Sequence, residues 1–325
     1  MPALPLTELP QQLLARAHAV ACAAATEVAI LVNRCRRTLR PTQIRRKGIG
    51  DFVTTVDTRS ERRLRTLLGA GLRNAGFLGE ETPGVGLDRE LVWVVDPIDG
   101  TSNFARGLPY YAVSIALLHR RQPVVAALWC EPEGSLYSAA LGQGARRDGR
   151  RVMIPRGRCD DGAVIGCQWH RGQQDLRFLA RLQTDGSRIR SMGCTVVQLV
   201  DVVMGRLDAN VQQQGRIWDV AAAGLVLTEA GGVFTDWSGR PVFPFPSLQL
   251  EHTPTIAASR QVHARLLELV GASARAGTGR RSCSPLGTPR ATVGQIRPAR
   301  AGVRQHDPGA HRETRARRAR KSGPR

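Results

Sequence analysis

Hydrophobic residues along this chain follow two spacings, one helical and one extended. Leucine and valine recur at helical spacing over residues 7–37 and 59–75, which predicts two amphipathic helices. Shorter apolar runs bounded by Gly, Pro or charged residues predict strands. The predicted strands cover residues 77–79, 91–95, 111–119, 123–129, 136–140, 163–169, 188–191, 207–211, 233–236 and 255–258. Further helices are predicted over residues 175–183, 195–204, 219–230 and 261–270.

Strands that alternate with helices predict a layered α/β fold. Glycines between residues 142 and 151 interrupt the pattern, so we place a domain boundary there, with one domain over residues 1–145 and a second over 146–270. Beyond residue 270 the hydrophobic periodicity stops, and Gly, Ala, Ser, Pro and Arg dominate. Such a segment buries too little apolar surface to offset its ordering entropy. Residues 271–325 are therefore predicted to be a disordered tail.

The net charge of +20 is concentrated in this tail, which holds 14 Lys and Arg residues against 2 Asp and Glu. An Arg-rich tail attracts RNA or DNA by charge alone. No aromatic or folded motif supports specific recognition, so specific nucleic-acid binding is not predicted. Since residues 261–270 already close a domain, the tail is open to two interpretations, a functional segment or an accidental extension.

Cysteine usage and the N-terminal segment bear on cellular location. The seven cysteines form no Cys-x-x-Cys pair and are odd in number, which is typical of reduced thiols in a cytoplasmic protein. The Ala-rich run of residues 18–32 contains His18 and Glu27 and is short for a membrane span. The N-terminus lacks the pattern of a signal peptide. We therefore expect a cytoplasmic protein that does not insert into a membrane.

The strand predicted over residues 91–95 leads directly into a pair of acids, Asp96 and Asp99. Pro97 and Gly100 are expected to turn the chain out of the sheet, which would place both carboxylates at one sheet edge. Clustered carboxylate oxygens are ligands that suit Mg²⁺. An isolated Asp-x-x-Asp also occurs in ordinary surface turns, so the metal interpretation depends on further acids.

Three other acidic positions fall where a shared site would need them. Glu80 and Glu81 follow the short strand of residues 77–79, Asp57 precedes a predicted helix, and Asp219 begins another. Each has an ordinary structural alternative, because Asp is a common N-cap and adjacent glutamates are commonly solvated. For Asp219 the two roles are compatible, since one oxygen can cap the helix while the other reaches a metal.

Several motifs together resemble the inositol monophosphatase family of Mg²⁺-dependent, lithium-sensitive phosphatases. They are Gly79-Glu80-Glu81, the run of residues 93–104 around Asp-Pro-Ile-Asp-Gly-Thr, the run of residues 218–224 that begins Trp-Asp, and residues 51–57. The resemblance implies a two-lobed, layered αβαβα sandwich of the inositol monophosphatase and fructose-bisphosphatase type, with the metals between the lobes. It also implies a homodimer.

The resemblance assigns metal ligands position by position, for two to three Mg²⁺ ions. It implies that Glu80, Asp96 and the main-chain carbonyl of Ile98 hold a first ion. Asp96, Asp99 and Asp219 are implied for a second ion, and Glu80 for a third, weaker one. Most of these ligands lie in the N-terminal domain, and Asp219 lies in the second.

The resemblance also implies catalytic roles. Asp57 and Thr101 are similar to the pair that orients and deprotonates an attacking water, with Glu80 as a further catalytic acid. The backbone amides of Gly100 and Thr101 are similar to a phosphate cradle. No nucleophilic Ser or Cys is needed, because metal ions neutralise phosphoryl oxygens and activate water directly.

Substrate contacts are implied for Asp99, Gly100, Thr101, Asp219 and Gln213. Inositol enzymes of the family usually place an acid just before the Trp-Asp motif, whereas this chain has glutamines there. A glutamine still bonds a hydroxyl, although without the pull of an anion. The nearby Arg216 suggests a further anionic group on the substrate.

The predicted function is therefore a Mg²⁺-dependent phosphomonoesterase that acts on a small phosphorylated metabolite similar to inositol 1-phosphate. Histidinol phosphate, or another sugar or nucleotide phosphate, is the alternative within the family. The alternative outside enzymology is a catalytically silent homologue that binds a phosphorylated ligand or a partner protein.

Overall fold

The computed structural model of the 325-residue chain describes residues 9–48, 51–160, 162–168, 176–249 and 254–276. All of them belong to one compact unit, residues 1–279. The two predicted domains, residues 1–145 and 146–270, both fall within this unit, and the division between them stays a prediction. Residues 277–325, and with them most of the predicted tail, lie outside the described residues.

The secondary structure closely follows the predicted alternation. The helices of the described residues are α1 (Gln11–Arg36), α2 (Thr55–Gly71), α3 (Thr101–Ala105), α4 (Arg177–Thr184), α5 (Thr195–Val203), α6 (Ile217–Glu229) and α7 (Arg260–Ala276). The strands are β1 (Ile44–Gly48), β2 (Asp51–Thr54), β3 (Gly76–Gly79), β4 (Leu91–Asp99), β5 (Ala112–His119), β6 (Gln122–Cys130), β7 (Ser135–Ala140), β8 (Ala145–Arg147), β9 (Arg150–Val152), β10 (Val164–Gln168), β11 (Arg188–Arg190), β12 (Ala209–Gln212), β13 (Val233–Asp236) and β14 (Thr255–Ala258).

Two large sheets form the centre of the fold. The seven-stranded sheet has the order β3-β4-β5-β6-β7-β8-β9, in which β3 and β4 are parallel and the later neighbours are antiparallel. The five-stranded sheet has the order β11-β10-β12-β14-β13. A separate two-stranded ribbon, β1-β2, leads into α2.

The helices cover both faces of both sheets. Helices α1 and α2 pack on one face of the seven-stranded sheet, α5 and α6 fill the space between the sheets, and α4 and α7 cover the outer face of the five-stranded sheet. This order of layers is αβαβα, so the predicted fold class is confirmed. The arrangement follows from burial, because a sheet with two apolar faces needs helices on both sides.

Helix α1 is long and apolar enough to cross a membrane by length and composition, with 39% of its most apolar window buried. Its fully buried face, which includes Ala21, Ala25 and Val28, packs against the seven-stranded sheet. A core helix of this kind passes the same test as a membrane span. The predicted absence of membrane insertion and the cytoplasmic location stay predictions.

Several predicted boundaries were wrong, and backbone chemistry explains them. Strand β4 does not end at Asp96 but continues to Asp99 through a β-bulge between the two acids, which accommodates Pro97 because the pairing is interrupted there. Helix α2 begins at Thr55, so Asp57 lies in its first turn and Thr54 is the N-cap. Helix α7 continues to Ala276, six residues into the predicted tail.

Helix α1 begins at Gln11, after Pro10, rather than at Thr7, which lies outside the described residues. The predicted start of α4 at Asp175 and the predicted end of β10 at Trp169 also lie outside them. The hairpin of β8 and β9 was missed by the prediction. Its two-residue turn, Asp148-Gly149, has positive φ at both positions, and Asp-Gly is a known signal for such a turn.

Candidate functional site

The predicted acids come together at one edge of the seven-stranded sheet. Strands β3 and β4 are parallel, with Gly79 opposite Val95, so Glu80, which follows β3, and Asp96, which follows Val95 within β4, lie at the same edge. Helix α6 reaches the same edge, because Ser114 of β5, the partner of Asp96, donates a 3.2 Å hydrogen bond to the carbonyl of Trp218. Asp219 is the next residue along the chain.

Asp96 and Asp99 share one face of β4. Because the bulge adds one residue between them, Asp96 lies opposite Ser114 and Asp99 opposite Ala112, and Ala112 belongs to the core face that α5 and α6 cover. The intervening Ile98 packs in the core on the other face. The carboxylate of Asp96 also accepts a 2.9 Å hydrogen bond from the Ile98 amide.

The carboxylates at this edge raise one another's pKa values. Burial raises the pKa of Asp96 well above its ordinary value, and the charges of Glu80, Asp99 and Asp219 raise it further. Burial, Asp99 and Glu80 likewise raise the pKa of Asp219 well above its ordinary value. Such shifts arise when carboxylates are buried and lie close to one another.

In the part of the chain that the structure describes, no three His, Cys, Asp or Glu residues form a group compact enough to hold one ion. The donor set nevertheless fits a hard divalent cation, because it consists of carboxylate oxygens whose mutual repulsion a positive charge would offset.

Asp99 is anchored by the start of α5. One of its carboxylate oxygens accepts hydrogen bonds from the Val196 amide at 2.6 Å and from the Cys194 thiol at 3.1 Å. Burial is the main cause that raises the pKa of Asp99 to about 6, and these donors lower it. Sequence reasoning missed Cys194, whose own pKa is raised well above its ordinary value by burial and by Asp99. The Cys194 thiol is therefore a neutral donor and not a nucleophile.

Asp57 and Thr101 are directly bonded, as their predicted pairing requires. The Thr101 hydroxyl lies 3.0 Å from one oxygen of Asp57 and 2.9 Å from the carbonyl of Ile98, so its proton is shared between two acceptors. The other oxygen of Asp57 accepts bonds from the amide and the hydroxyl of Thr54, at 2.8 and 2.5 Å. Burial raises the pKa of Asp57 to about 6 against these stabilising bonds, and the charge of Glu81 adds to the rise.

Gly100 connects the acids of β4 to α3, which begins at Thr101. Its φ of 89° lies in the left-handed region, and a Cβ there would stand 2.7 Å from the Tyr110 carbonyl oxygen. Only glycine fits this position without a shift of the backbone. The conformation brings the Gly100 amide to the carboxylate of Asp99.

Arg216 lies beside the acids. Its guanidinium is 3.8 Å from the carboxylate of Glu80 and stacks over the Trp218 ring, with 45% of the side chain exposed. The Arg216 amide donates a 3.1 Å hydrogen bond to Asp219. Asp219 therefore lies in the first turn of α6 and bonds the N-cap residue, and the predicted position of Asp219 as the first residue of the helix was wrong.

Gln212 ends strand β12, and its side chain contacts the start of α5. Gln212 is fully buried and donates to the Thr195 hydroxyl at 3.2 Å and to the Gln214 carbonyl at 2.7 Å. The predicted substrate residue, Gln213, follows it and is partly buried. In the described part of the chain, the side-chain oxygens of both glutamines are buried without a hydrogen-bond partner. Sequence reasoning singled out Gln213 and missed Gln212, although both belong to the same Gln-Gln-Gln run.

Comparison with known proteins gives consistent matches over this fold. A model of the inositol monophosphatase family matches residues 13–275. An inositol-1-monophosphatase of Rhizobium meliloti is 36% identical over 203 residues, which are 61% of this chain and 76% of the relative. The Nus factor SuhB of Salmonella typhimurium is 31% identical over 226 residues, 68% of this chain and 85% of the relative. The solved structure of the extragenic suppressor protein suhB from Bartonella henselae has a TM-score of 0.68 at 28% identity, covering 81% of this chain and 99% of that one.

Proposed function

Because the chain belongs to the inositol monophosphatase family of metal-dependent phosphatases, we propose that it is a Mg²⁺-dependent phosphomonoesterase for a small phosphorylated metabolite. One observation carries the proposal. Four carboxylates lie close enough to interact electrostatically, those of Glu80 after β3, Asp96 and Asp99 in β4, and Asp219 in α6. Burial raises the pKa values of Asp96 and Asp219 most, and the charges of their carboxylate neighbours raise them further. A site that gathers this much negative charge suits a cation, which in turn attracts a phosphate monoester.

Two to three Mg²⁺ ions are proposed for this edge of the sheet. Glu80, Asp96 and the carbonyl of Ile98 would hold one ion, and Asp96, Asp99 and Asp219 a second, with Glu80 also serving a weaker third. When bound, Mg²⁺ supplies the positive charge that offsets the phosphoryl oxygens and lowers the pKa of a neighbouring water. One oxygen of Asp99 accepts the Val196 amide and the Cys194 thiol, and these bonds fix the carboxylate at the sheet edge where a cation would bind.

Asp57 and Thr101 are proposed to remove the proton of the attacking water. Water would give its proton to the Thr101 hydroxyl oxygen as the hydroxyl proton passes to Asp57, whose carboxylate is 3.0 Å away. A pKa of about 6 suits a general base near neutral pH, because the group is mostly ionised yet still basic. The second oxygen of Asp57, bonded twice to Thr54, keeps the carboxylate in place.

Substrate contacts are proposed for Asp99, Gly100, Thr101, Asp219 and Gln213. The unpartnered, buried side-chain oxygens of Gln212 and Gln213 support a substrate that carries hydroxyl groups besides its phosphate, since an amide oxygen accepts a hydroxyl proton. A compound similar to inositol 1-phosphate meets this requirement, and histidinol phosphate or another sugar or nucleotide phosphate is the alternative. Lithium sensitivity and homodimer formation are proposed from the family alone.

A catalytically silent protein is the second candidate, since one relative is named a Nus factor. The presence of an acid at each proposed side-chain ligand position favours the enzyme. The deciding experiment measures phosphate release from inositol 1-phosphate, histidinol phosphate, fructose 1,6-bisphosphate and adenosine bisphosphate, each with Mg²⁺ and with EDTA. Turnover of one compound that EDTA abolishes is expected. Folded, Mg²⁺-bound protein that turns over none of them would refute the enzyme and support the silent homologue.

A further inference from the structure

Glu61 is a buried carboxylate that the proposed chemistry does not use. It has no exposed surface, and it lies on α2 four residues after Asp57, one helical turn along the same face. A buried carboxylate is costly unless hydrogen bonds compensate it. The groups that donate hydrogen bonds to Glu61 therefore indicate which part of the chain it stabilises.

Both oxygens of Glu61 bind the segment that carries Glu80. One accepts a 2.7 Å hydrogen bond from the backbone amide of Glu81, and the other accepts a hydrogen bond from the Thr82 hydroxyl. A Cβ added to Gly79 would lie 2.3 Å from the carboxyl carbon of Glu61. The chain therefore passes directly over this carboxylate just before Glu80, and Gly79 is the residue that permits the close approach.

A second residue of α2 holds the same segment one turn further on. Arg65 donates to the Thr82 hydroxyl oxygen at 2.6 Å and to the Pro83 carbonyl at 3.1 Å, and its guanidinium stacks over the Phe77 ring. Burial and the charge of Glu81 raise the pKa of Glu61, whereas Arg65 and the two hydrogen bonds lower it. Glu61 and Arg65 of α2 thus both bind the turn that follows β3.

We propose that Glu61 is a positioning residue that fixes residues 79–82 on α2, so that the Glu80 side chain stays beside Asp96. The same helix face carries Asp57, which links the placement of the proposed base to that of the proposed metal ligand. The assignment to metal binding rests on the proposed function, whereas the hold of Glu61 on the turn does not.

Two variants of Glu61 and one control variant test this role. Glu61→Leu removes both acceptors at similar volume. Glu61→Gln keeps one acceptor for the Glu81 amide, and its NH₂ group can donate to the Thr82 hydroxyl oxygen, so it preserves the geometry without the charge. Glu27→Gln, which makes the same chemical change at an exposed ion pair with Arg63, is the matched control.

The test uses the full chain and two measurements. Hydrogen exchange of the Glu81 amide in EDTA reports the hold on the turn, and Mg²⁺ affinity by calorimetry reports its consequence. For Glu61→Leu we expect exchange at least about tenfold faster and Mg²⁺ affinity at least about tenfold weaker, with smaller effects in Glu61→Gln and none in Glu27→Gln. Thermal unfolding in EDTA checks that each variant is folded. If Glu61→Leu does not fold, the ordering of Glu61→Gln against Glu27→Gln decides.

Unchanged Glu81 exchange in folded Glu61→Leu would overturn the positioning role, as would equal exchange in Glu61→Gln and Glu27→Gln if the Leu variant does not fold. Faster exchange with unchanged Mg²⁺ affinity would overturn its link to the metal site. Wild-type protein that binds no Mg²⁺ would refute the proposed function instead, and the exchange data would still decide whether Glu61 holds the turn.

Discussion

Helices α2 and α6 begin in the same way, yet their first turns differ in one respect. Each carries an Asp at its third position, and each Asp accepts the backbone amide of the N-cap residue, Thr54 for Asp57 and Arg216 for Asp219. Asp57 has further donors in the hydroxyls of Thr54 and Thr101. Asp219 has no other donor among the described residues and faces the charges of Asp99 and Glu80.

The difference separates two uses of the same local structure. A carboxylate whose lone pairs are filled by protein donors is held for proton transfer, as proposed for Asp57. A carboxylate that meets other carboxylates needs a cation, as proposed for Asp219. The helix start supplies the position in both cases, and the surrounding residues decide the chemistry.

The largest expected effect on turnover comes from removing the charge of a proposed metal ligand. Asp96→Asn should lower Mg²⁺-dependent turnover by on the order of 10³-fold or more, because charge at the reacting centre is lost. Phosphate release and calorimetric Mg²⁺ titration measure the effect. Asp160→Asn, a change at an exposed ion pair with Arg158, serves as control. Turnover of Asp96→Asn near the wild-type rate would refute the ligand assignment.

Substitution of Asp57, the proposed general base, should lower turnover without weakening Mg²⁺ binding. Asp57→Asn should lower turnover by about 10²–10⁴-fold, the range of general-base catalysis, while Mg²⁺ affinity stays within about twofold. Steady-state kinetics together with Mg²⁺ titration separate the two quantities. A parallel loss of Mg²⁺ affinity would show that Asp57 belongs with the ligands rather than with Thr101.

The burial of the acids should also affect the free energy of unfolding without metal. Asp57 and Asp99 have pKa values raised to about 6, so the folded protein binds more protons than the unfolded protein between about pH 4 and 6. The free energy of unfolding should therefore fall as pH rises through this window, by on the order of 2–3 kcal/mol per carboxylate.

Denaturant unfolding in EDTA at pH 4.5 and 7 measures this loss of stability. Adding Mg²⁺ should restore stability at pH 7, and Asp96→Asn should be more stable than wild type there in EDTA. A wild-type protein whose stability in EDTA rises over the same range would contradict the account of the acids.

The smallest effect is expected at the exposed rim. Arg216→Gln removes a half-exposed positive charge 3.8 Å from Glu80, which should strengthen Mg²⁺ binding by about two- to fivefold, the scale of a surface ion pair. Calorimetric titration at low ionic strength measures the change, and added salt should reduce it. Weaker Mg²⁺ binding in this variant would show that Arg216 supports the site instead of competing at it.

The sequence predicted the layered fold because the elements have clear periodicity and because the motifs resemble one family. It predicted less about partners that lie far apart along the chain. Nothing local indicates that Cys194 bonds Asp99, since 95 residues separate them. Glu61 is similar, because a charged residue within a predicted helix is ordinarily solvated and only the path of the turn after β3 buries it.

Boundaries that depend on a single backbone feature were the other source of error. Pro97 was expected to end β4, yet a proline is tolerated inside a strand where a bulge interrupts pairing. The sequence indicated Asp57 as an alternative N-cap, whereas Thr54 is the N-cap and Asp57 completes a capping box as the third residue of the helix.

The bulge in β4 also determines how many residues must separate Asp96 and Asp99 if this site is transplanted to another strand or shortened. Side chains of a regular strand alternate between faces, so two residues three positions apart point in opposite directions. The extra residue between Asp96 and Asp99 cancels that alternation. Deleting Pro97 alone would leave the two acids two positions apart instead of three. If regular strand pairing were restored, both would still lie on one face. A designer working with a straight strand should therefore write Asp-x-Asp, whereas Asp-x-x-Asp works only in a strand that carries the bulge.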